Sequence, residues 1–467
     1  MKDLAKQNVI KLIQEKSIEI VNLCHIPDDS HLKTLSFAVK NKDRLKDILE
    51  FGERVDGSSL FSYIDPSRSD VYIVPKIESG FINPFSSVPT LNILSEYLDE
   101  YGKPLETAPQ SILQKAEEKL YSSTGIALNA FAELEFYVID KQQSPISNVS
   151  GGNYHESAPF AKFEDLRNEI LVTLENLGIA TKYGHAEAGR FHTRNGDLME
   201  QHEIEFLPQA LGRMAETITI ARWIIRNICQ KHGVSASFSP KPAWKHTGNG
   251  MHIHICALKN NRNVIADHHG NLTTEAIQII GGILRFAPSL TAFGNTIPVS
   301  YLRFISQIES PKHICWGARN RLSLIRLPLW WDFKRKTEES ENCRRTFEYR
   351  SPDSSANIYL LLAGIALAAE YGLKNPKEVT RIAEELNIDE NVDLNKEYVS
   401  LPLSCVEAAH NLKRDRKHYE ADRVFPRKVI DQTIGRLESF KDRKFRENLI
   451  NNQKKIDSLT AKYLDYG

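Results

Sequence analysis

The stretch TGNGMHIHI (247–255) puts His252 and His254 on one side of any extended segment, with Met251, Ile253 and Ile255 on the other. Such a pair alone fits an ordinary strand whose polar face meets water. The pattern recurs, however. FAELEFYVI (131–139) carries Glu133 and Glu135 on one face, QHEIEFL (201–207) carries Glu203 and Glu205, and TFEYRS (346–351) carries Glu348 and Arg350. A solvated strand face favours Thr, Ser, Lys and Gln over repeated Glu and His. Four strands with ionisable groups at i and i+2 therefore point to a polar cavity lined by strands. Burying so many carboxylates without countercharge is prohibitive, which calls for cations. Oxygen-rich ligands with an imidazole suit Mg2+ or Mn2+. Zinc fits less well, because no cysteine cluster is near.

A second cluster, ESPKHICWGARNRLSLIRLP (309–328), holds Arg319, Arg321 and Arg326, after Arg303 in SYLRF. Arginine is the fork-shaped, fixed-charge partner of phosphate and carboxylate. The competing reading is a basic surface, or salt bridges to the glutamates. Cations and arginines beside carboxylates describe a phosphoryl-transfer site. Neither a GxxxxGK[ST] loop nor a kinase-type glycine-rich loop occurs, so the chemistry belongs to neither of those classes.

These strands need a large scaffold, and 467 residues suffice for more than one domain. Lys+Arg is 60 and Asp+Glu is 60, a zero net charge that argues against a general nucleic-acid binder. No run of eighteen apolar residues occurs, so no membrane span is expected. The charged start MKDLAKQNVIKLIQEK lacks the apolar centre of a signal peptide. Cys24, Cys229, Cys256, Cys315, Cys343 and Cys405 are scattered, as reduced cytoplasmic thiols would be.

Residues 1–95 read as a small α+β unit. LKTLSFAV (32–39) and VYIVPKI (71–77) are predicted strands, and DRLKDILEFG (43–52) a helix ending at Gly52. GFINPFSSVP (80–89) is the best linker candidate. The pattern lengthens near residue 104, dividing the chain into 1–103 and 104–467. Helices are predicted over 163–178, closed by Gly178, over 209–233, and over 355–372 with Asp353 or Ser354 as cap. The last forty residues read as surface helices.

The ordered motifs resemble those of the bacterial-type glutamine synthetases: RVDGSSLF (54–61), ELEF (133–136), QHEIEF (201–206), KP followed by GNGMHIH (248–254), SYLRFISQIESP (300–311), ARNRLSLIRLP (318–328) and FEYRSPDSSANIYL (347–360). The resemblance implies an α+β fold. A small N-terminal β-grasp domain would precede a catalytic domain whose curved antiparallel half-barrel is backed by helices. It implies an ATP- and Mg2+-dependent enzyme joining ammonia to the γ-carboxylate of L-glutamate through a γ-glutamyl phosphate. The family assembles as homo-oligomers, here expected as a dodecamer of two hexameric rings whose small domain completes the neighbour's site.

The same resemblance assigns Glu135, Glu187 and Glu203 to a first metal, and Glu133, His252 and Glu348 to a second. His254, Cys256 and Arg326 match the ATP site. Tyr154, Gly248, Arg303 and Arg350 match the glutamate site. Asp56 matches the carboxylate that deprotonates ammonium, Glu309 the flap that closes the site, and Arg321 the arginine at the transferring phosphate. Two positions depart from the pattern: Thr247 stands where asparagine is common, and Cys256 where serine is common. The segment between Glu187 and Glu203 is longer than in the simplest members. Tyr398 lies where some members carry a nucleotidylated tyrosine. The rival readings are a ligase joining glutamate to an organic amine and a catalytically inactive structural member.

Overall fold

The computed structural model describes residues 2–141, 152–306, 308–330, 345–388, 398–449 and 452–466; Cys343 lies outside them. Strands β1 (Ile20–His25), β2 (Lys33–Ala38), β3 (Glu53–Asp56), β4 (Asp70–Pro75), β5 (Phe81–Ile82) and β6 (Thr90–Leu98) form a first sheet in the order β2-β1-β6-β4-β3, with β5 on β6. β1 and β6 run parallel. Helices α1 (Lys2–Glu15) and α2 (Lys42–Phe51) contribute Val9, Ile13, Leu45, Ile48 and Leu49 to a core shared with Val21, Leu23, Ile73, Leu91 and Ile93 of the strands. Asn41 caps α2 by accepting the Asp43 and Arg44 N–H groups. Gly52 ends it at φ +66°, where a Cβ would meet the Ile73 carbonyl at 1.9 Å.

The segment 80–89 is not a linker. β5 pairs with β6 inside the first sheet, and Phe81 and Phe85 pack edge-on against Trp223. Pro and Ser marked a turn within the unit, and the aromatics beside them tie it to its neighbour.

The second sheet comprises β7 (Ile126–Asp140), β8 (Thr181–His192), β9 (Leu198–Phe206), β10 (Gln209–Ala210), β11 (Ser235–Ser237), β12 (Met251–Lys259), β13 (Arg262–Asn263), β14 (Trp316–Ala318), β15 (Ile325–Leu327) and β16 (Phe347–Tyr349). Its main path is β14-β15-β16-β12-β7-β9-β8, antiparallel except between β14 and β15. This is the expected curved half-barrel backed by helices. Leu134, Phe136, Ile204, Met251 and Ile253 bury the apolar face in one core with α3 (Pro109–Thr124), α4 (Glu164–Asn176), α5 (Leu211–Lys231), α6 (Thr274–Gly294), α7 (Pro298–Ser306) and α8 (Ile358–Lys374). The helices α9 (Pro376–Glu385), α10 (Cys405–Glu420), α11 (Arg427–Ser439), α12 (Phe445–Leu449) and α13 (Gln453–Lys462) follow.

Two expectations change in detail. Asn357, not Asp353 or Ser354, caps α8 by accepting the Leu360 N–H. Asp353 is fully buried and accepts instead from Ser355 N and Asn295 Nδ2 at 2.9 and 2.8 Å. α6 is long and apolar enough to cross a membrane, yet 78% of its most apolar window is buried inside the fold.

Candidate active site

Strand register builds the site. Three rows of polar side chains cross the second sheet. In the first, Arg326 on β15 lies opposite Glu348 on β16, and Glu348 opposite His254 on β12. The second runs from His252 through Glu133 and Glu205 to Tyr183. The third runs from Glu135 through Glu203 to His185. Opposed residues have Cβ atoms about 4.5–5.5 Å apart, so side chains from six separate strands must meet.

They do. His254 Nε2 lies 2.8 Å from Glu133 Oε1, and His252 Nδ1 lies 2.8 Å from Glu133 Oε2. The same His252 nitrogen is 3.4 Å from Glu348. Glu348 also accepts from Arg326 at 2.8 Å and from Arg350. His185 places Nε2 3.1 Å from Glu203 and Nδ1 3.6 Å from Glu187. Lys182 Nζ is 2.6 Å from Glu205, which also accepts the Tyr183 phenol. A cleft of about 360 Å3 opens above these groups.

The electrostatics divide the carboxylates. Burial pushes the Glu135 carboxyl up to about 8, helped by Glu187. Burial, and then Glu309, raises Glu187 to about 7. Glu203 is driven well above the usual range by burial and by Glu133, Glu135, Glu187 and Glu205. Burial acts the same way on Glu133, but His254 and His252 outweigh it and hold that carboxyl well below the usual range. Glu348 is also lowered, by Arg350 and the two histidines against burial and Glu133. Buried acids that raise one another in this way, beyond what Arg303 and Arg321 offset, are suited to holding a cation. Among the described residues, three groups each bring three ligand atoms within 4.8 Å of one another: Glu133, His254 and Glu348; His185, Glu187 and Glu203; and Glu133, Glu203 and Glu205.

A hydrogen-bonded plug seats the turn before β12. Gln201 Nε2 donates to Glu135 at 3.2 Å, to the Gly248 carbonyl at 3.0 Å and to Asn249 Oδ1 at 3.0 Å. Its oxygen accepts Gly189 N at 3.0 Å and the Thr247 hydroxyl at 2.9 Å. Thr247 Oγ1 lies 2.9 Å from the Tyr137 phenol. The glycines here are sterically required. A Cβ on Gly248 would stand 2.3 Å from the Pro240 carbonyl, and one on Gly189 would stand 1.8 Å from the Tyr137 oxygen.

Residues 106–441 match the family model described as "Glutamine synthetase, catalytic domain". The chain belongs to the glutamine synthetase family. Glutamine synthetase of Thermotoga maritima is 29% identical over 88% of this chain and 90% of its own. That of Pyrococcus horikoshii is 31% identical over 89% of each. The solved Plasmodium falciparum glutamine synthetase superposes with a TM-score of 0.78 at 20% identity, over 96% of this chain and 97% of its own, which is a likeness of fold.

Among the residues singled out from the family motifs, Glu133, Glu135, Glu187, Glu203, His252 and His254 line the cleft, with Tyr154, Gly248, Arg303, Glu309, Arg321, Arg326 and Arg350 around them. Glu348 is fully buried beneath, held by the two arginines. Arg321 lies 6.0 Å from the half-exposed Tyr154 ring, which sits edge-on to His185. Glu309 is exposed at φ +55°, a backbone state side-chain-bearing residues rarely adopt. Arg303 donates to the Ser351, Pro352 and Arg350 carbonyls and so braces the chain leaving β16.

Two singled-out residues are not brought to the cleft. Asp56 sits exposed at the end of β3. Cys256 is fully buried two residues past His254, opposite Asn129. In the close groupings His254 lies with Glu133 and Glu348, and His185 with Glu187 and Glu203, while His252 Nδ1 stands 3.4 Å from Glu348 and 3.8 Å from Glu135 beside them. One Glu135 oxygen is already taken by Gly250 N at 2.8 Å and by Gln201. Glu187 falls at a register shift of β8, and the residues that follow it form the rest of the hairpin into β9.

Lys182, Tyr183, His185 and Glu205 were missed as site residues. The alternation of Tyr183, His185 and Glu187 in KYGHAE carried a signal, and Glu205 belonged to a pair already noticed. Tyr398 accepts from His313 through its carbonyl and lies outside the cleft lining.

Proposed function

We propose that this chain is an ATP-dependent glutamate–ammonia ligase that makes L-glutamine through γ-glutamyl phosphate. The observation that carries the reading is the row-by-row convergence of Glu133, Glu135, Glu203, Glu205, Glu348 and the two β12 histidines in one cleft, rimmed by arginines. Divalent cations, Mg2+ or Mn2+, fit this donor set, with Glu133, Glu135, Glu187, Glu203, His252 and Glu348 as holders and His254, His185 and Glu205 within reach. Bound there, they would neutralise the polyphosphate and the charge developing in transfer.

The chain's own residues do the rest. Arg303, Arg350 and Gly248 orient glutamate, with Tyr154 at the rim. His254 and Arg326 belong to the ATP side. Arg321 opposes charge on the moving phosphoryl group as it passes from ATP to the γ-carboxylate. That step turns oxide, a poor leaving group, into phosphate. Asp56 takes a proton from ammonium, and ammonia attacks the activated carbonyl as phosphate departs. Glu309 closes the site against water. Asp56 lies on the 1–103 unit and away from the cleft lining. This supports a homo-oligomer, a dodecamer of two hexameric rings in this reading, in which the small unit serves the 104–467 unit of a neighbour. The scattered thiols suit a cytoplasmic enzyme.

ADP release with glutamate and ammonium, run beside a panel of alkylamines, tests the reading. Ammonium is expected to give the highest kcat/KM. A faster amine would replace this reading with the amine ligase. Release with none would leave the inactive structural member.

A further inference from the structure

Of the three close groupings of possible ligand atoms among the described residues, the third shares Glu133 with the first and Glu203 with the second. Glu205 is the member it has to itself, and both Glu205 oxygens are engaged by the chain. Lys182 Nζ lies 2.6 Å from Oε2, and the Tyr183 phenol donates to Oε1. Lys182 and Tyr183 are consecutive, and a regular strand would send them to opposite faces. A bulge in β8 prevents that. Thr181 pairs with Phe206 and Tyr183 with Glu205, so Lys182 is an extra residue in the ladder. Both side chains line the cleft as a result. The Lys182 ammonium also stands over the Phe131 and Tyr183 rings, 5.0 and 4.9 Å from their centroids. Its side chain is 39% exposed and that of Glu205 is 4% exposed. The charge is thus anchored on a buried acid and presented to the cleft.

An exposed ion pair holds two long side chains loosely and contributes little. This one is fixed by a buried carboxylate, two rings and a bulge that turns the lysine inward. We propose that the Lys182 ammonium is a built-in cation that fills the third grouping, so that the cleft binds two divalent ions and not three. A third divalent ion would have to share Glu133 and Glu203 with the ions on either side and add two charges between them. The ammonium is a single compact charge on a flexible stem, with three N–H donors. It neutralises Glu205 and leaves Glu133 and Glu203 to the neighbouring ions. The inference deepens the ligase reading and rests on its assignment of the cleft to divalent cations.

Equilibrium dialysis of the full-length protein against Mn2+, with the bound metal counted by atomic absorption, tests this without turnover. Wild type should saturate at two Mn2+ per chain. Lys182→Met should take one more, because loss of the ammonium frees Glu205 for an ion. Lys182→Arg keeps the charge and should stay at the wild-type count. Circular dichroism checks that each variant is folded; should Lys182→Met fail to fold, Lys182→Gln reads the same site. Three ions in wild type, or no gain in a folded neutral variant, overturns the proposal and leaves the cleft a cation site. A gain in Lys182→Arg overturns it too, since shape and not charge would then set the count. Wild type that binds no Mn2+ overturns the cation site of the ligase reading itself, an outcome distinct from the others.

Discussion

Glu135 and Asp56 are both carboxylates assigned to one reaction, and the fold treats them in opposite ways. Glu135 stands in a buried sheet row, where loss of water and the neighbouring Glu187 raise its carboxyl to about 8. Asp56 stands exposed on a turn, where Ser58 gives its hydroxyl at 2.7 Å and its N–H at 2.9 Å, and Ser59 its hydroxyl at 2.7 Å. Those bonds hold Asp56 far below the usual carboxylate range. The first environment disfavours charge until a cation arrives. The second secures charge by local hydrogen bonding alone. One region is therefore incomplete without a ligand, and the other is complete in itself but away from the cleft.

The comparison is broken most severely at Glu135. Glu135→Ala should reduce ADP release by ~10³-fold or more while circular dichroism stays native, because removing one buried acid relieves repulsion among the carboxyls of the row. Turnover near wild type would remove Glu135 from the chemistry. Arg321→Lys is expected to cost ~10²–10³ in kcat, since a point charge does not replace a planar fork at a moving phosphate. A rate within about threefold of wild type would make Arg321 a rim residue only.

Joining the two regions across subunits gives the next effect. Asp56→Ala and Glu348→Ala chains, each inactive alone, should recover roughly a quarter of wild-type activity when co-assembled one to one, if the site is shared between neighbours. Verified mixed assemblies that stay inactive would place the whole site within one chain.

Acid–base linkage sharpens the contrast further. In chelated protein, Glu135, Glu187 and Glu203 bind protons more tightly folded than unfolded. Their contribution to stability is complete below the ordinary value of 4.5 and is lost as pH climbs through about 7 and 8. Glu133 and Glu348, both lowered, are ionised across that window and do not oppose the trend. The melting temperature without metal should therefore fall between about pH 5 and about pH 8.5, and Mg2+ should restore most of it at the upper end. A flat profile would mean the acids are neutralised within the protein. The smallest effect is expected at the exposed carboxylate: Ser59→Ala should lower kcat/KM by about two- to fivefold by loosening Asp56, with melting unchanged.

Much of the site was legible in the sequence because a strand's period of two forces alternate side chains to one face, whatever the strand's neighbours. Glu133 with Glu135, Glu203 with Glu205, and His252 with His254 could be paired on that ground, and the apolar residues between them named the face that meets the helices. Helix α2 and its Gly52 stop were legible for the same local reason, as a cap and a positive-φ exit are properties of a few consecutive residues. Register is not such a property. Only the pairing of β7 with β9 and β12 set Glu133 opposite Glu205 and His252, and only β8 brought His185 to Glu203. The linker assigned to 80–89 failed likewise, because Trp223, which covers Phe81 and Phe85, is over a hundred residues away in the chain. The sequence by itself determined which residues share a face, the acidic and arginine character of the site, and the order of its motifs. The tertiary structure alone decided which acids oppose one another, which carboxyls rise and which fall, and that Asp56 stands outside the cleft. Those outcomes depend on distance and burial between segments far apart in the chain, which no local periodicity encodes.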